Sequence, residues 1–103
     1  MLYHDYLKEE IKKTIIFLFK KFKIKNQNID KNDFNVEISN KKEFGDLSSN
    51  VALIFCKLFK VSPLDLAEKI SNELRKNTNI LKIEVLPPGF INFFFKAEFW
   101  HEQ

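Results

Sequence analysis

The hydrophobic residues follow two different periods along the chain, and these periods predict its helices and strands. Over residues 3–22 apolar side chains recur every three or four positions, which is the spacing of one face of an α-helix. Over residues 34–39 apolar and polar positions alternate, which is typical of a half-buried strand. The helical stripe consists of Tyr3, Leu7, Ile11, Ile15, Leu18 and Phe22.

Two shorter helices are predicted in the middle of the chain. Asp46, which follows Gly45, is expected to cap a helix over about residues 47–59. Ser62 and Pro63 begin the next helix as N-cap and first-turn proline. The inward positions are expected to be Leu47, Val51, Ile54 or Phe55, and Leu58 in the first of these helices, and Leu66, Ala67, Ile70 and Leu74 in the second, with Arg75 and Lys76 in its last turn.

Two strands complete the predicted fold, over residues 81–86 and 90–96, and a Pro-Pro-Gly turn joins them. In the first, Leu81, Ile83 and Val85 share one face. In the second, strand alternation places Ile91, Phe93 and Phe95 on one face and Phe90, Asn92, Phe94 and Lys96 on the other. The order of elements predicts an α+β fold, a small antiparallel sheet of about three strands covered on one face by about three helices.

Composition narrows the class of protein. With 103 residues and 45% hydrophobic content, residues 1–103 are expected to form a single, monomeric domain. The formal charge of +3 favours an anionic partner only mildly, and with Arg75 as the one arginine, cationic contacts would be made mainly by lysines. Cys56 cannot form an internal disulfide and is expected to be a buried thiol. No signal peptide or membrane span is recognised, so we expect a cytoplasmic protein with no membrane contact.

The residue types that usually carry catalysis form no recognisable catalytic arrangement in this sequence. His4 and His101 lie near opposite ends without a metal-ligand pattern, and two glycines are too few for a phosphate-binding loop. Ser48 and Ser49 lack a nucleophile motif. By its own residues the chain therefore has no predicted catalytic residue, metal or cofactor.

The outward face of the last predicted strand is the candidate binding surface. Phe90 or Phe94 could stack on an unpaired base, Asn92 could hydrogen-bond its edge, and Lys96 could attract phosphate. In the alternative interpretation, the two rings fill a second small core and Asn92 pairs with backbone. The pattern alone favours this alternative, because aromatic stripes are usually core.

Three segments together resemble the N-terminal domain of arginyl-tRNA synthetases. They are GDLSSNVA at residues 45–52, PLDLAEKI at 63–70 and PGFINF at 88–93, in that order and spacing. The resemblance spans most of the chain and implies that the domain docks on the D-loop corner of arginine tRNA. It assigns base stacking to Phe90 and hydrogen bonding to Asn92, while Phe94 and Lys96 are added from strand alternation. Gly45, Asp46 and Asn50 are interpreted as structural.

The resemblance also implies a larger parent enzyme, an arginine–tRNA ligase of synthetase class I that consumes ATP. The catalytic and anticodon-binding portions of that family are not found in these residues, so we expect a fragment whose partner is the downstream catalytic domain. The alternative function is a structural or protein-interaction domain that braces the parent synthetase without reading a base. The aromatic-rich residues 93–100 suggest it.

Overall fold

The computed structural model describes residues 3–25, 29–38 and 46–95. Within these ranges the strands pair antiparallel throughout, in the order β1-β2-β4-β3. The α+β prediction is confirmed, with one strand more than predicted. The elements are α1 (Tyr3–Lys21), a short 3-10 helix (Lys31–Asp33), β1 (Val36–Ile38), β2 (Leu47–Ser49), α2 (Val51–Phe59), α3 (Pro63–Leu74), β3 (Ile80–Leu86) and β4 (Phe90–Phe95).

The core lies between the helices and one face of the sheet. Ile91 and Phe93 of β4 are fully buried on this face. The helices supply equally buried residues, among them Ile11 of α1 and Ile70 of α3. The prediction that helices cover one face of the sheet is therefore confirmed. No helix in the described ranges is long and apolar enough to cross a membrane.

Helix α3 begins as its sequence predicts. The Ser62 hydroxyl accepts a hydrogen bond from the backbone N–H of Asp65 at 3.1 Å, and Pro63 is the first helical residue. The predicted inward residues are all buried. The helix ends at Leu74, so Arg75 and Lys76, which were expected in its last turn, lie beyond it. Arg75, which follows it, donates to Asn72 Oδ1 at 2.7 Å and to the Ile83 carbonyl at 3.3 Å, and thereby links α3 to β3.

The prediction that Asp46 caps a helix over residues 47–59 is wrong. Residues 47–49 form strand β2, and α2 begins only at Val51. Asp46 joins the sheet instead: its N–H donates to the Phe93 carbonyl and its Oδ2 accepts from the Phe95 N–H, both at 2.8 Å. A strand of three residues is too short to show a period of its own, so the pattern of the following helix extends over it.

Some predicted inward positions are also exposed. In α2 Val51 is buried as predicted, and of the alternatives Ile54 and Phe55 the buried one is Phe55, whereas Leu58 is 41% exposed. Phe22 lies just past the end of α1 and is 42% exposed. Leu81 is 64% exposed because the register shifts between Ile80 and Lys82, which leaves Leu81 as an extra residue in the strand.

Gly89 ends the turn between β3 and β4 in direct contact with α3. A Cβ at this position would lie 2.7 Å from Pro63 Cβ and 3.0 Å from its carbonyl carbon. Such a distance is inside van der Waals contact, so the turn requires a residue without a side chain. The predicted role of Gly45 lies outside the described residues.

Candidate nucleic-acid interface

Strand β4 carries the predicted site on the face that turns away from the helices. It is an inner strand of the sheet, with Asn92 paired to Ser48 of β2 and to Glu84 of β3. Alternation along β4 is as predicted: Ile91 and Phe93 face the core, and Phe90 and Phe94 face outward with Asn92. The predicted Lys96 lies outside the described residues.

Phe90 borders a small polar pocket. Its side chain is 40% exposed, and Leu86, its partner on β3, is 39% exposed. The pocket has a volume of about 80 Å³. Sequence reasoning missed its other walls, because they come from β1 and β2, whose pairing with β4 is a tertiary property. The lining residues are Asn35, Glu37, Ser48, Ser49, Asn50 and Phe90.

The segment from Ser49 to Asn50 fixes the far wall of this pocket. Asn50 Oδ1 accepts a hydrogen bond from the Asn35 N–H at 2.8 Å, and the Ser49 hydroxyl donates to the Asn35 carbonyl at the same distance. The Ser49 hydroxyl also accepts from the Val51 N–H, in the first turn of α2, at 3.2 Å. These bonds join β1, β2 and the start of α2.

Asn92 lies at the centre of the open face and is only 4% exposed. Its neighbours are Ser48 and Glu84 across the sheet and Phe90 and Phe94 along β4. Its amide makes no hydrogen bond to any residue of the described ranges. Ser71 Oγ is the one fully buried side-chain polar atom without a partner in the described ranges, so the Asn92 amide still has access to solvent from the open face.

Phe94 does not present a free ring. The Lys82 ammonium lies 5.0 Å from its centroid, within cation–π range, and 3.4 Å from Glu84 Oε2. Lys82 thus supplies a cation on this face, a residue that sequence reasoning did not select. Since Glu37 and Glu84 carry the opposite charge, the described part of this face offers phosphate little net attraction.

The described ranges contain no group of three or more His, Cys, Asp or Glu residues that could hold a metal ion. The geometry provides an exposed ring, an amide without a hydrogen-bond partner among the described residues, and a polar pocket beside an inner strand. The class defined by this fold is a small α+β module in which one sheet face is buried under helices and the other carries no helix within the described ranges.

Comparison with known proteins identifies the particular family. The chain belongs to the family described as the arginyl tRNA synthetase N terminal domain, whose model matches residues 3–95. The resemblance seen in the sequence is thereby confirmed.

Similar proteins agree with this family. The chain is 47% identical over 89 residues to an arginine–tRNA ligase of Mesomycoplasma hyopneumoniae, covering 85% of the chain and 16% of that relative. It is 46% identical over 66 residues to an arginine–tRNA ligase of Thermotoga maritima, covering 64% of the chain and 12% of the relative. The chain therefore spans at most 16% of the length of these two relatives.

Solved structures share the fold. The chain resembles the arginyl-tRNA synthetase of Plasmodium falciparum with a TM-score of 0.69 and 19% identity, over 93% of the chain and 16% of that structure. The Thermus thermophilus arginyl-tRNA synthetase gives a TM-score of 0.63 and 18% identity, over 95% of the chain and 14% of that structure. At these identities the likeness supports the fold alone.

Proposed function

We propose that this domain binds arginine tRNA at its D-loop corner and positions it for aminoacylation by an arginine–tRNA ligase of which the domain is a part. Family membership and the open sheet face support this proposal. Residues 1–103 contain no recognisable set of catalytic residues, so the ATP-dependent reaction would take place elsewhere in the ligase. The contribution of these residues would be to hold the tRNA in a productive orientation.

The observation that carries the proposal is the position of Phe90. Its ring is exposed beside a polar pocket, and it stands on a strand that is hydrogen-bonded on both sides. Stacking of a base on an aromatic side chain is worth about 1–3 kcal/mol. A ring on an inner strand offers this stacking at a fixed place.

Asn92 is proposed to bind the edge of the stacked base. It lies two residues from Phe90 on the same face, a separation of roughly 7 Å along the strand. A base on Phe90 therefore brings its edge towards the row that holds Asn92 and Ser48. An amide without a protein partner is available to both donors and acceptors of a base. Phe94 and Lys96 remain predictions, and Lys82 already occupies one side of the Phe94 ring.

Charging kinetics test this site. In the full-length ligase, Phe90→Ala is expected to lower kcat/KM for tRNA roughly 5- to 150-fold, which corresponds to the loss of about 1–3 kcal/mol of stacking. Asn92→Ala should lower the same ratio. Phe17→Ala is the matched control, because Phe17 is a similarly exposed ring, 48% accessible, on helix α1. Circular dichroism checks that each variant folds.

The bracing function is the second candidate, and exposed apolar side chains in the helical layer favour it. Ile54, Leu58 and Leu64 are each more than 40% exposed, and a neighbouring domain could cover them. Unchanged kcat/KM in both sheet-face variants, together with weak tRNA binding that does not respond to salt, would overturn base reading and favour bracing.

A further inference from the structure

Six lysines lie where the C-terminal ends of α1 and α2 meet the side of α3. Phe22 is the centre of this surface: its ring lies 6.3 Å from that of Phe59 at the end of α2. The ammonium groups of Lys21 and Lys69 lie 5.9 and 5.7 Å from the centroid of the Phe22 ring. We call the set the helix-end lysine cluster; it consists of Lys20, Lys21, Lys23, Lys57, Lys60 and Lys69.

Most of the cluster has no acidic partner. Lys69 pairs with Asp65 at 3.0 Å, and Lys21 lies 3.9 Å from Glu73. The remaining four lysines take part in no ion pair with any residue that the structure describes. The cluster therefore concentrates positive charge in a chain whose net charge is only +3.

Two of these lysines occupy backbone positions that favour glycine. Lys23 and Lys60 have φ angles of 56° and 58°, and Lys60 is the C-cap residue of α2. Helices commonly end in this left-handed conformation, and glycine adopts it at no steric cost. A lysine at each of these positions therefore adds charge where backbone stability alone would select glycine.

One edge of the cluster approaches the turn before strand β4, whereas Lys21 at the other edge lies 3.9 Å from Glu73 in the last turn of α3. Gly89, the residue before Phe90, is in contact with Pro63, the first residue of α3. Lys60 precedes Pro63 by three residues, and Lys69 follows it by six, about 9 Å along the helix axis. An RNA strand that places a base on Phe90 could thus continue over the turn towards the lysines.

We propose that the helix-end lysine cluster binds the sugar–phosphate backbone of the RNA strand that flanks the base at Phe90. This inference rests on the proposed function. The cluster would supply the positive charge that the sheet face lacks, since the two carboxylates of Glu37 and Glu84 outnumber the one ammonium group of Lys82 there. The ring of Phe22, which is 42% exposed and lies within 6 Å of two of the ammonium groups, adds an apolar contact for ribose or base.

The test compares two quadruple variants of the 103-residue chain in titrations with transcribed arginine tRNA. One variant removes four unpaired charges of the cluster: Lys20→Gln, Lys23→Gln, Lys57→Gln and Lys60→Gln. The control removes the same charge around the N-terminal half of α1: Lys8→Gln, Lys12→Gln, Lys13→Gln and Lys31→Gln. Circular dichroism confirms folding, and any general effect of net charge is common to both variants.

The salt dependence distinguishes the outcomes. Loss of four phosphate contacts should reduce the slope of log K against log salt by about 3, so that the affinity ratio between 50 and 200 mM salt shrinks roughly 50-fold in the cluster variant. The control variant should keep nearly the slope of the parent chain. Equal slopes in the two variants would overturn the proposal. The proposal would also be overturned if the parent chain bound polyglutamate and the cluster variant lost that binding but still bound tRNA like the parent. The cluster would then serve to bind an acidic protein partner.

Phe90→Ala in the same titrations separates this inference from the proposed function. It is expected to lower affinity at every salt concentration and to leave the slope unchanged, because stacking releases no counterions. If Phe90→Ala binds like the parent while the cluster variant loses its slope, the base-reading site fails and the phosphate-binding surface stands. If instead Phe90→Ala lowers the affinity while the cluster variant keeps the slope of the parent chain, only the proposed role of the lysine cluster is rejected.

Discussion

Gly89 decides how closely the turn before β4 approaches helix α3. Replacing it by alanine places a methyl group 2.7 Å from Pro63 Cβ and 3.0 Å from the Pro63 carbonyl carbon. Because backbone atoms are involved, the turn must shift, and we expect Gly89→Ala to lower the free energy of unfolding by about 1–3 kcal/mol. Urea denaturation followed by circular dichroism measures the loss.

A double-mutant cycle checks the cause. Pro63→Gly removes the nearer contact, so the penalty of Gly89→Ala should be smaller in that background than in the parent chain. Additive effects of the two substitutions, or an unchanged urea midpoint for Gly89→Ala, would show that the turn has room for a side chain.

At the scale of single residues, the sequence predicts the sheet face on which a side chain lies better than it predicts how deeply that side chain is buried. Alternation along β4 correctly separates Ile91 and Phe93 from Phe90 and Asn92. It does not predict that Asn92 is 4% exposed or that Lys82 covers Phe94, because both depend on side chains of neighbouring strands. The polar walls of the pocket beside Phe90 were missed for the same reason.

At the scale of elements, length separates correct predictions from wrong ones. Helices α1 and α3 repeat their apolar pattern over 19 and 12 residues, and α3 also has a recognisable N-cap serine and first-turn proline, so the sequence predicts both helices well. Strand β2 has three residues, and the bulge at Leu81 shifts one register. Neither feature produces a recognisable pattern of apolar and polar residues, because strand pairing rather than local sequence determines both of them.

Asp46 attaches β2 to β4, and its substitution tests this link. Asp46→Ala leaves the N–H of the buried Phe95 without its carboxylate acceptor, which lies 2.8 Å away, so we expect a loss of about 1–3 kcal/mol in unfolding free energy. Asp46→Asn keeps an acceptor oxygen and should lose less. Thermal denaturation ranks the variants. If the Asp46 side chain served only to cap a helix, as the sequence suggested, asparagine would fully replace it.

At the scale of the whole molecule, polar contacts join the ends of distant elements around one core. The Tyr6 hydroxyl in α1 accepts hydrogen bonds from the side-chain amides of Asn77 and Asn79 at 2.7 and 3.1 Å. These two residues connect α3 to β3, so the start of α1 is tied to the connection between helix and sheet. Together with the shared core, this contact predicts that the domain unfolds as a unit.

Cys56 reports on that cooperative unfolding, because it is the only cysteine and is 8% exposed. Its reaction with a thiol reagent in the folded chain should be at least about 100-fold slower than in urea, since modification requires opening of the core. A Cys56→Ser, Lys57→Cys variant is the matched control and should react rapidly when folded. Equal rates for the two native proteins would indicate local opening of α2.

The inner position of β4 has a practical consequence for locating the RNA. Most of its backbone is engaged in ladders with β2 and β3, so its amide protons are expected to exchange with solvent only when the whole domain opens. Binding at Phe90 will therefore slow their exchange only by stabilising the whole domain, and will leave no hydrogen-exchange footprint specific to the strand that makes the contact. Resonances of the aromatic ring and of the Asn92 amide group are the signals that should change when tRNA is added.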